Sequence, residues 1–320
     1  MMNFLLLMLG LALLIAGGEA LIRGALAAAK RFDVSPLLSG LVIVGFGTSA
    51  PELVVSVSAA LNHQPDIAIG NVVGSNIANI LLILGTCALI TPLAVKPMVL
   101  RRDAVTVVAA SILFIVLVGG NALGFLDAWV LLFSLLAYLA WAYWSERLQA
   151  SPAAELHKAE ADELTVLPTS LVWTVTIIVI GLLLLIGGSQ VLLLGAVGIA
   201  KSFGISEAVI GLTLVAVGTS LPELSISVIA ALRKHADVAV GNVLGSNIFN
   251  LLGILGISAL LQPLPVHIRI LQFDQWVMLG SSVLLLLFLY TGRRLSRLEG
   301  GVLFIGYVAY VGLSFTIYGG

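Results

Sequence analysis

Residues 47–93 read GTSAPELVVSVSAALNHQPDIAIGNVVGSNIANILLILGTCALITPL, and residues 218–264 repeat this stretch with few changes. Aligned at a constant offset of 171 without a gap, 29 of the 47 positions are identical. Both copies place Gly, Ser, Thr and Asn in an apolar background, and each carries one glutamate, Glu52 or Glu223. A duplication of this kind indicates a site that is built twice inside a helical bundle.

The composition is that of a membrane protein. Hydrophobic residues make up 60% of the 320 residues and charged residues 10%, whereas soluble domains carry about 25% charged residues. The mean hydropathy of +1.16 agrees with this assignment. A net charge of −1 gives no reason to expect a nucleic-acid partner, and one cysteine excludes a disulfide framework or a cysteine-based metal site.

Ten segments are long and apolar enough to be transmembrane helices. They are residues 3–29, 36–61, 67–90, 102–120, 124–146, 169–200, 206–232, 238–261, 271–291 and 298–318. Each half contains five, and because five is odd, the second half must enter the membrane from the opposite side. The sequence therefore predicts an all-α membrane protein with ten transmembrane helices in two inverted five-helix repeats, 1–147 and 169–320, joined by a linker at 148–168.

The distribution of basic residues orients these helices. Thirteen of the 15 Lys and Arg residues fall on one side of the ten-helix arrangement, and only Lys201 and Arg269 fall on the other. Basic residues accumulate on the cytoplasmic side of membrane proteins. We therefore expect a multi-pass protein of the cytoplasmic (inner) membrane, with both termini outside and the 148–168 linker in the cytoplasm.

The repeated motif places oxygen atoms beside a buried acid. Thr48 and Glu52 share a helix face, and Ser49 lies near that face. Pro51 has no N–H group, so the helix should kink or break and expose backbone carbonyl groups. The next helix adds Ser75 and Asn79. The equivalent residues of the second copy are Thr219, Ser220, Pro222, Glu223, Ser246 and Asn250.

These side chains determine which kind of ion can bind. All of them offer oxygen, and hard oxygen ligands favour hard cations. Two glutamates with several neutral oxygens match Ca²⁺, which takes about six to eight oxygen ligands, better than Mg²⁺. Buried carboxylates are costly in a membrane and have no use in packing. Small polar residues are also common helix contacts, so we assign Asn71, Asn76, Asn242 and Asn247 to packing.

The two GTSxPE…GNxxGSNIxN segments resemble the paired alpha-repeats of the cation/calcium exchanger superfamily, in particular the bacterial and archaeal sodium/calcium exchangers. The resemblance covers essentially the whole chain. It implies four cation sites at mid-membrane, with Glu52 and Glu223 binding Ca²⁺ beside the carbonyl groups of Thr48 and Thr219. It further implies that the following residues complete the cation sites: Ser49, Ser220, Ser75, Ser246, Asn79, Asn250, Gly45 and Ala216.

The expected function is therefore secondary antiport, in which the inward Na⁺ gradient drives Ca²⁺ out of the cytoplasm. We expect no enzyme activity, no cofactor and no required protein partner; small cations and the lipid bilayer are the expected partners. Asparagine at both 79 and 250, where some superfamily members carry aspartate, argues against K⁺ co-transport. A H⁺/Ca²⁺ exchanger, a K⁺-dependent Na⁺/Ca²⁺ exchanger and a cation channel are the alternatives.

Overall fold

The computed structural model describes residues 2–32, 36–95, 99–148, 170–202 and 218–318, and these residues are mostly helical. The helices are α1 (Met2–Phe32), α2 (Gly40–Thr48), α3 (Ala50–Leu61), α4 (Pro65–Ile90), α5 (Arg101–Gly120), α6 (Phe125–Leu148), α7 (Leu171–Ser202), α8 (Leu221–Leu232), α9 (Ala236–Leu261), α10 (Ile270–Gly292) and α11 (Arg297–Tyr318). The strands are β1 (Leu93–Ala94), β2 (Ala122–Leu123), β3 (Leu264–Pro265) and β4 (Arg294–Leu295).

The described helices include seven that are long and apolar enough to cross a membrane, namely α1, α4 to α7, α9 and α10. Helices α2 and α3 pass the same test as one bent span, which makes eight. Helix α8 has only 12 described residues. It is the end of the seventh predicted helix, whose residues 206–217 lie outside the described ranges, as do the linker residues 149–168. The chain is therefore a multi-pass helical membrane protein, and the count of ten spans stays a prediction.

The predicted break in the first motif is confirmed. Helix α2 ends at Thr48, Ser49 adopts a non-helical ψ of 7°, and α3 begins at Ala50 with an axis bent by 47°. Because Pro51 has no N–H group, the helical hydrogen-bond ladder cannot run through this turn. In the second motif, Ser220 has a ψ of 9° directly before α8. In both copies of the motif, a serine with a non-helical ψ directly precedes the helix that carries the glutamate.

The short strands relate the two halves of the chain. Strand β1 pairs antiparallel with β4, and β2 pairs antiparallel with β3. Strand β3 is the sequence copy of β1, and β4 begins one residue after the start of the copy of β2. Each strand of the first half therefore pairs with the region that corresponds to the other first-half strand. Ser111 and Ser282, which are also copies, face each other with 3.4 Å between their hydroxyl oxygens. A twofold relation between the halves explains both observations: strands pair with the copy of a different strand, and a serine contacts its own copy.

Helices α1 and α7 pack with their backbones in contact. A methyl group on Gly17 would lie 2.8 Å from the backbone nitrogen of Leu185, and one on Gly181 would lie 2.8 Å from that of Leu21. Small residues permit this close approach between membrane helices. Helix α1 also joins the end of α8, because Glu19 forms a 2.9 Å ion pair with Arg233. Helices α1 and α7 thus form one packed pair beside the motif helices.

A buried acid joins the last helices of each half. Asp103 accepts hydrogen bonds from Arg102 at 2.6 Å and from the Tyr138 hydroxyl at 2.8 Å, which links α5 to α6. Its copy Asp274 accepts from Arg269 at 3.0 Å and from the Tyr310 hydroxyl of α11 at 2.9 Å. Arg102 is one of the thirteen basic residues used to orient the helices, and it is only 2% exposed. Paired and hydrogen-bonded in this way, these charges stabilise contacts between helices rather than form an open site.

Candidate cation-binding site

The two repeated motifs meet, and each carboxylate contacts the serine of the other motif. The Ser49 hydroxyl donates a hydrogen bond to Glu223 Oε1 across 3.1 Å. The Ser220 hydroxyl donates to Glu52 Oε1 across 3.4 Å. Ser49 lies three residues before Glu52, and Ser220 lies three residues before Glu223. The serine of each motif therefore contributes to the surroundings of the opposite acid, and the two acids belong to one centre.

Glu52 and Glu223 are buried and only partly satisfied. Their exposed fractions are 0% and 1%. Within the described ranges, the Oε2 atom of each carboxylate has no hydrogen-bond partner, and no Lys or Arg side chain pairs with either acid. An unpaired carboxylate in a low-dielectric interior is strongly unfavourable. Binding of a cation or a proton would therefore neutralise the charge of these carboxylates.

Helices α2 and α9 close one side of this centre. The Thr48 hydroxyl lies 3.1 Å from Asn242 Oδ1 and 3.5 Å from the Ser246 hydroxyl oxygen. Ser246 donates a hydrogen bond to the carbonyl oxygen of Gly45 at 2.9 Å. A methyl group on Gly45 would come within 3.0 Å of the Asn242 carbonyl oxygen, so the close approach of the two helices requires glycine there. Three predicted site residues, Gly45, Thr48 and Ser246, are thus brought together.

The second motif makes a different set of contacts. Ser220 lies 3.4 Å from Ser75, oxygen to oxygen. The Thr219 hydroxyl is buried and has no hydrogen-bond partner in the part of the chain that the structure describes. Ala216, the copy of Gly45, lies outside the described residues. Ser75 and Ser220 therefore reach the centre, whereas the Thr219 hydroxyl forms no hydrogen bond with the described residues.

The two motif helices α4 and α9 also carry buried amide side chains. Asn79 Nδ2 donates to Asn247 Oδ1 at 2.9 Å, and Asn247 Nδ2 donates to the carbonyl oxygen of Asn76 at 3.3 Å. Asn79 Oδ1 and both polar atoms of Asn250 have no partner among the described residues. Leaving a buried polar atom without a partner costs about 1–3 kcal/mol. The free amide oxygens of Asn79 and Asn250 are therefore available to a cation.

The interpretation of Asn71 and Asn242 as packing residues is incomplete. Asn71 Nδ2 donates to the Glu52 carbonyl oxygen at 3.3 Å and to Ser56 at 3.0 Å. Asn242 Nδ2 donates in the same way to the Glu223 carbonyl oxygen at 3.2 Å and to Ser227 at 2.7 Å. These hydrogen bonds hold the backbone of each acidic residue. The available sequence signal was that both asparagines recur at the offset of the glutamates.

The ligand atoms of the centre suit a hard cation that binds and is then released. Its side chains offer carboxylate, hydroxyl and amide oxygens, which favour Ca²⁺ and Na⁺ over soft metals. The described residues contain no group of three or more His, Cys, Asp or Glu that could hold a metal ion. Ligand charge helps to set affinity for hard cations, so two acids with neutral oxygens suit a cation that must leave again.

A multi-pass helical fold and a buried carboxylate centre built from two copies of one motif define a secondary transporter for small cations. The family model described as sodium/calcium exchanger protein matches residues 2–144 and 173–316. The chain belongs to this family, within the cation/calcium exchanger superfamily, and is therefore an exchanger-type antiporter of the membrane. The family consists of transporters rather than enzymes.

Individual relatives and solved structures agree with the family assignment. CaxA of Alkalimonas amylolytica is 38% identical over 319 residues, covering 97% of this chain and 97% of CaxA. The sodium/calcium exchanger MaX1 of Methanosarcina acetivorans is 34% identical, covering 98% of this chain and 99% of MaX1. A solved structure of the sodium-calcium exchanger NCX_Mj superposes with a TM-score of 0.82 at 31% identity, covering 98% of both chains.

Proposed function

We propose that this protein exchanges Na⁺ for Ca²⁺ across the cytoplasmic membrane and that Glu52 and Glu223 bind both ions in turn. The main support for this proposal comes from the two buried acids. Each accepts a hydrogen bond from the serine of the opposite motif, and the Oε2 atom of each has no partner among the described residues. Two negative charges balance one divalent cation. The names of MaX1 and NCX_Mj as sodium/calcium exchangers support the same pair of ions for this chain.

The neutral oxygens around the acids would complete the coordination. In this proposal the Thr48 and Thr219 carbonyl groups bind Ca²⁺ beside the two carboxylates. The remaining ligands, which serve mainly Na⁺, are Ser49, Ser220, Ser75, Ser246, Asn79, Asn250 and the carbonyl groups of Gly45 and Ala216. Support comes from two groups of buried residues in this set. Ser49, Ser220, Ser75, Ser246 and Gly45 form hydrogen bonds between the two motifs, and the amide oxygens of Asn79 and Asn250 have no partner among the described residues.

Competition for the two carboxylates would couple the ions. Ca²⁺ and Na⁺ cannot both neutralise the same pair of acids fully, so one must leave before the other binds. An empty site holds two unpaired buried charges, which oppose closure of the protein around it. A loaded site is close to neutral and can be occluded. This difference makes exchange favourable and passage of an empty carrier unfavourable.

The proposed membrane arrangement has ten helices in two inverted repeats, 1–147 and 169–320, with both termini outside and the 148–168 linker in the cytoplasm. The exchanged strand pairings and the Ser111–Ser282 contact support a twofold relation. The basic residues support the orientation. Inversion makes the outward-open and inward-open states nearly equivalent, and the packed pair of α1 and α7 is the moving gate in this scheme.

Flux measurements separate the possible coupling ions. The purified protein is placed in liposomes, and ⁴⁵Ca²⁺ uptake is measured with Na⁺, K⁺ and H⁺ gradients imposed one at a time. The proposal expects uptake when Na⁺ is inside the liposomes, little dependence on K⁺, and none on a pH gradient alone. Uptake that follows only the pH gradient would assign a H⁺/Ca²⁺ exchanger, and fluxes far above carrier rates would assign a channel.

A further inference from the structure

Exposed arginines surround the pair of strands β1 and β4. Strand β1 pairs with β4, and the Val95 N–H group donates a hydrogen bond to the carbonyl oxygen of Arg293 at 2.9 Å. Arg294 is the first residue of β4, and Arg297 is the first residue of α11. The Arg297 guanidinium donates to the carbonyl oxygen of Ile90, the last residue of α4, at 3.2 Å. Backbone pairing and this hydrogen bond therefore hold three arginines beside the end of α4.

A fourth arginine, Arg101, reaches the same end of the bundle at the start of α5. Helices α5 and α10 contact each other at Ser111 and Ser282. Ser111 lies ten residues after Arg101, and Ser282 lies ten residues before Gly292, where α10 ends. The two helices are antiparallel, because β1 precedes α5 and pairs with β4, which follows α10. The residues of this arginine cluster are Arg101, Arg293, Arg294 and Arg297.

The charges of the arginine cluster are not neutralised by the described part of the protein. All four side chains are exposed, and none forms an ion pair with a described residue. The sequence supplies only two acids in residues 91–104 and 289–300. Asp103 is buried and paired with Arg102, and Glu299 accepts two hydrogen bonds from Ser296 at the start of α11. The cluster therefore presents positive charge and hydrogen-bond donors to an anion outside the protein.

The opposite end of the bundle has the same backbone arrangement without the charges. There β2 pairs with β3, and Asn121 lies between α5 and β2 as Arg293 lies between α10 and β4. Both residues have a left-handed φ, 63° and 49°. Asparagine adopts this conformation more readily than a long side chain does. Ala122 and Phe125 begin the strand and the next helix where the cluster has arginines. This turn therefore does not need arginine for its structure.

An exposed apolar stripe begins at the arginine cluster. Leu298, Val302 and Ile305 of α11 are exposed, and their spacing of four and three residues places them on one helix face. Tyr290, near the end of α10, is also exposed, and tyrosine is enriched where membrane helices meet the headgroup region. A molecule with an anionic head at the arginines and an apolar tail along this stripe would match both surfaces.

We propose that the arginine cluster binds the headgroup phosphate of an anionic phospholipid whose acyl chains lie along the exposed face of α11. The planar guanidinium groups donate pairs of hydrogen bonds that fit phosphate oxygens. A zwitterionic phospholipid carries the same phosphate, but its own cation cancels the charge. The proposal does not depend on which ions the protein exchanges. The proposed orientation places the cluster at the cytoplasmic leaflet, whose surface potential is negative because of its anionic lipids.

Lipid binding can be measured by native mass spectrometry of the purified protein in detergent. Phosphatidylglycerol and phosphatidylcholine with identical acyl chains are compared, and the unmodified protein should bind phosphatidylglycerol more tightly. The double variant Arg293→Gln/Arg294→Gln should lower the affinity for phosphatidylglycerol about thirtyfold, the effect of two charges at an anionic lipid surface. The matched control is Arg233→Gln/Lys234→Gln, which removes two exposed charges from the same proposed face outside the cluster and should change the affinity little.

Two further comparisons separate a phosphate-binding site from general surface charge. Arg293→Lys/Arg294→Lys keeps the charge but loses the paired donors, so its affinity should lie between those of the unmodified protein and the glutamine variant. Inorganic phosphate at the lipid concentration should not displace phosphatidylglycerol, because it has no acyl chains. Equal losses in the cluster and control variants would overturn the proposal, as would equal binding of the two lipids or displacement by phosphate. The last two results use the unmodified protein, so they decide the question even if a variant fails to fold.

Discussion

Ser49 donates a hydrogen bond to Glu223 across 3.1 Å, although the two residues lie 174 positions apart in the chain. In the reciprocal contact, Ser220 donates to Glu52, and these two residues lie 168 positions apart. Each serine directly precedes the helix that carries the glutamate of its own half, α3 or α8, so the turn before that helix supplies a donor to the opposite acid. The two halves of the site therefore depend on each other, and neither copy of the motif can form the centre alone.

Replacement of either glutamate should abolish exchange. Glu52→Gln and Glu223→Gln keep the side-chain size but remove one of the two charges that balance Ca²⁺. We expect ⁴⁵Ca²⁺ uptake to fall to background in each, and the double variant to lose no more than either single one, because both acids act on one ion. Asp66→Asn is the control, since Asp66 lies exposed in the first turn of α4. Normal uptake by either glutamine variant would refute the site.

Loss of the serine donors should weaken Ca²⁺ binding without removing it. A hydrogen bond to a charged group contributes about 1.5–3 kcal/mol, so Ser49→Ala and Ser220→Ala should each raise the half-saturating Ca²⁺ concentration roughly ten- to hundredfold. Ser58→Ala, on an exposed position of α3, is the matched control and should change little. The uptake assay that serves for the glutamates measures all three. An unchanged concentration in both site variants argues against a role for these contacts.

The close packing of α2 on α9 predicts an asymmetric response to alanine. Gly245→Ala places a methyl group against the backbone of Leu41 and should destabilise the protein by about 1–3 kcal/mol. Gly74→Ala, at the equivalent position of the first half, meets no described atom and should be neutral or slightly stabilising, because alanine favours helix. Thermal unfolding midpoints in detergent compare the two variants. Equal losses at both positions would contradict the close packing at Gly245.

An added acid at Asn250 should change the ion requirement of transport. Both polar atoms of this asparagine lack a partner among the described residues, so an aspartate there would add a buried carboxylate with no described partner. With three negative charges, one Ca²⁺ no longer neutralises the site. Asn250→Asp should therefore need K⁺ or a lower pH for full Ca²⁺ uptake, whereas the unmodified protein should not. If Ca²⁺ uptake by Asn250→Asp depends on neither K⁺ nor pH, this position does not face the ions.

Much of the site could be predicted from the sequence because its components are local signals. The repeat marks the residues that matter, Pro51 marks the helix break, and an acid in an apolar background marks a ligand. The bend of 47° between α2 and α3 follows directly from the missing N–H group of Pro51. The hydrogen bond from each serine to the acid of the opposite half could not be predicted, because it forms only when the two halves fold against each other.

Other features could not be predicted because they depend on packing between distant segments. Two copies of nearly the same sequence cannot reveal that Thr48 contacts Asn242 while Thr219 lacks a partner among the described residues. The burial of Arg102 depends on the Asp103 and Tyr138 contacts, which link separate helices. The short strands have too few residues to leave a periodic pattern, and only the structure reveals their exchanged pairing.

The most direct test of the central claim is the position of a bound ion. Crystals of the protein soaked with Ca²⁺ should give a long-wavelength anomalous difference map with one strong peak between the two acids. The account predicts that this peak lies at Ca²⁺–oxygen distance, about 2.3–2.6 Å, from a carboxylate oxygen of both Glu52 and Glu223. A calcium peak that touches only one of these acids, or neither, would contradict it.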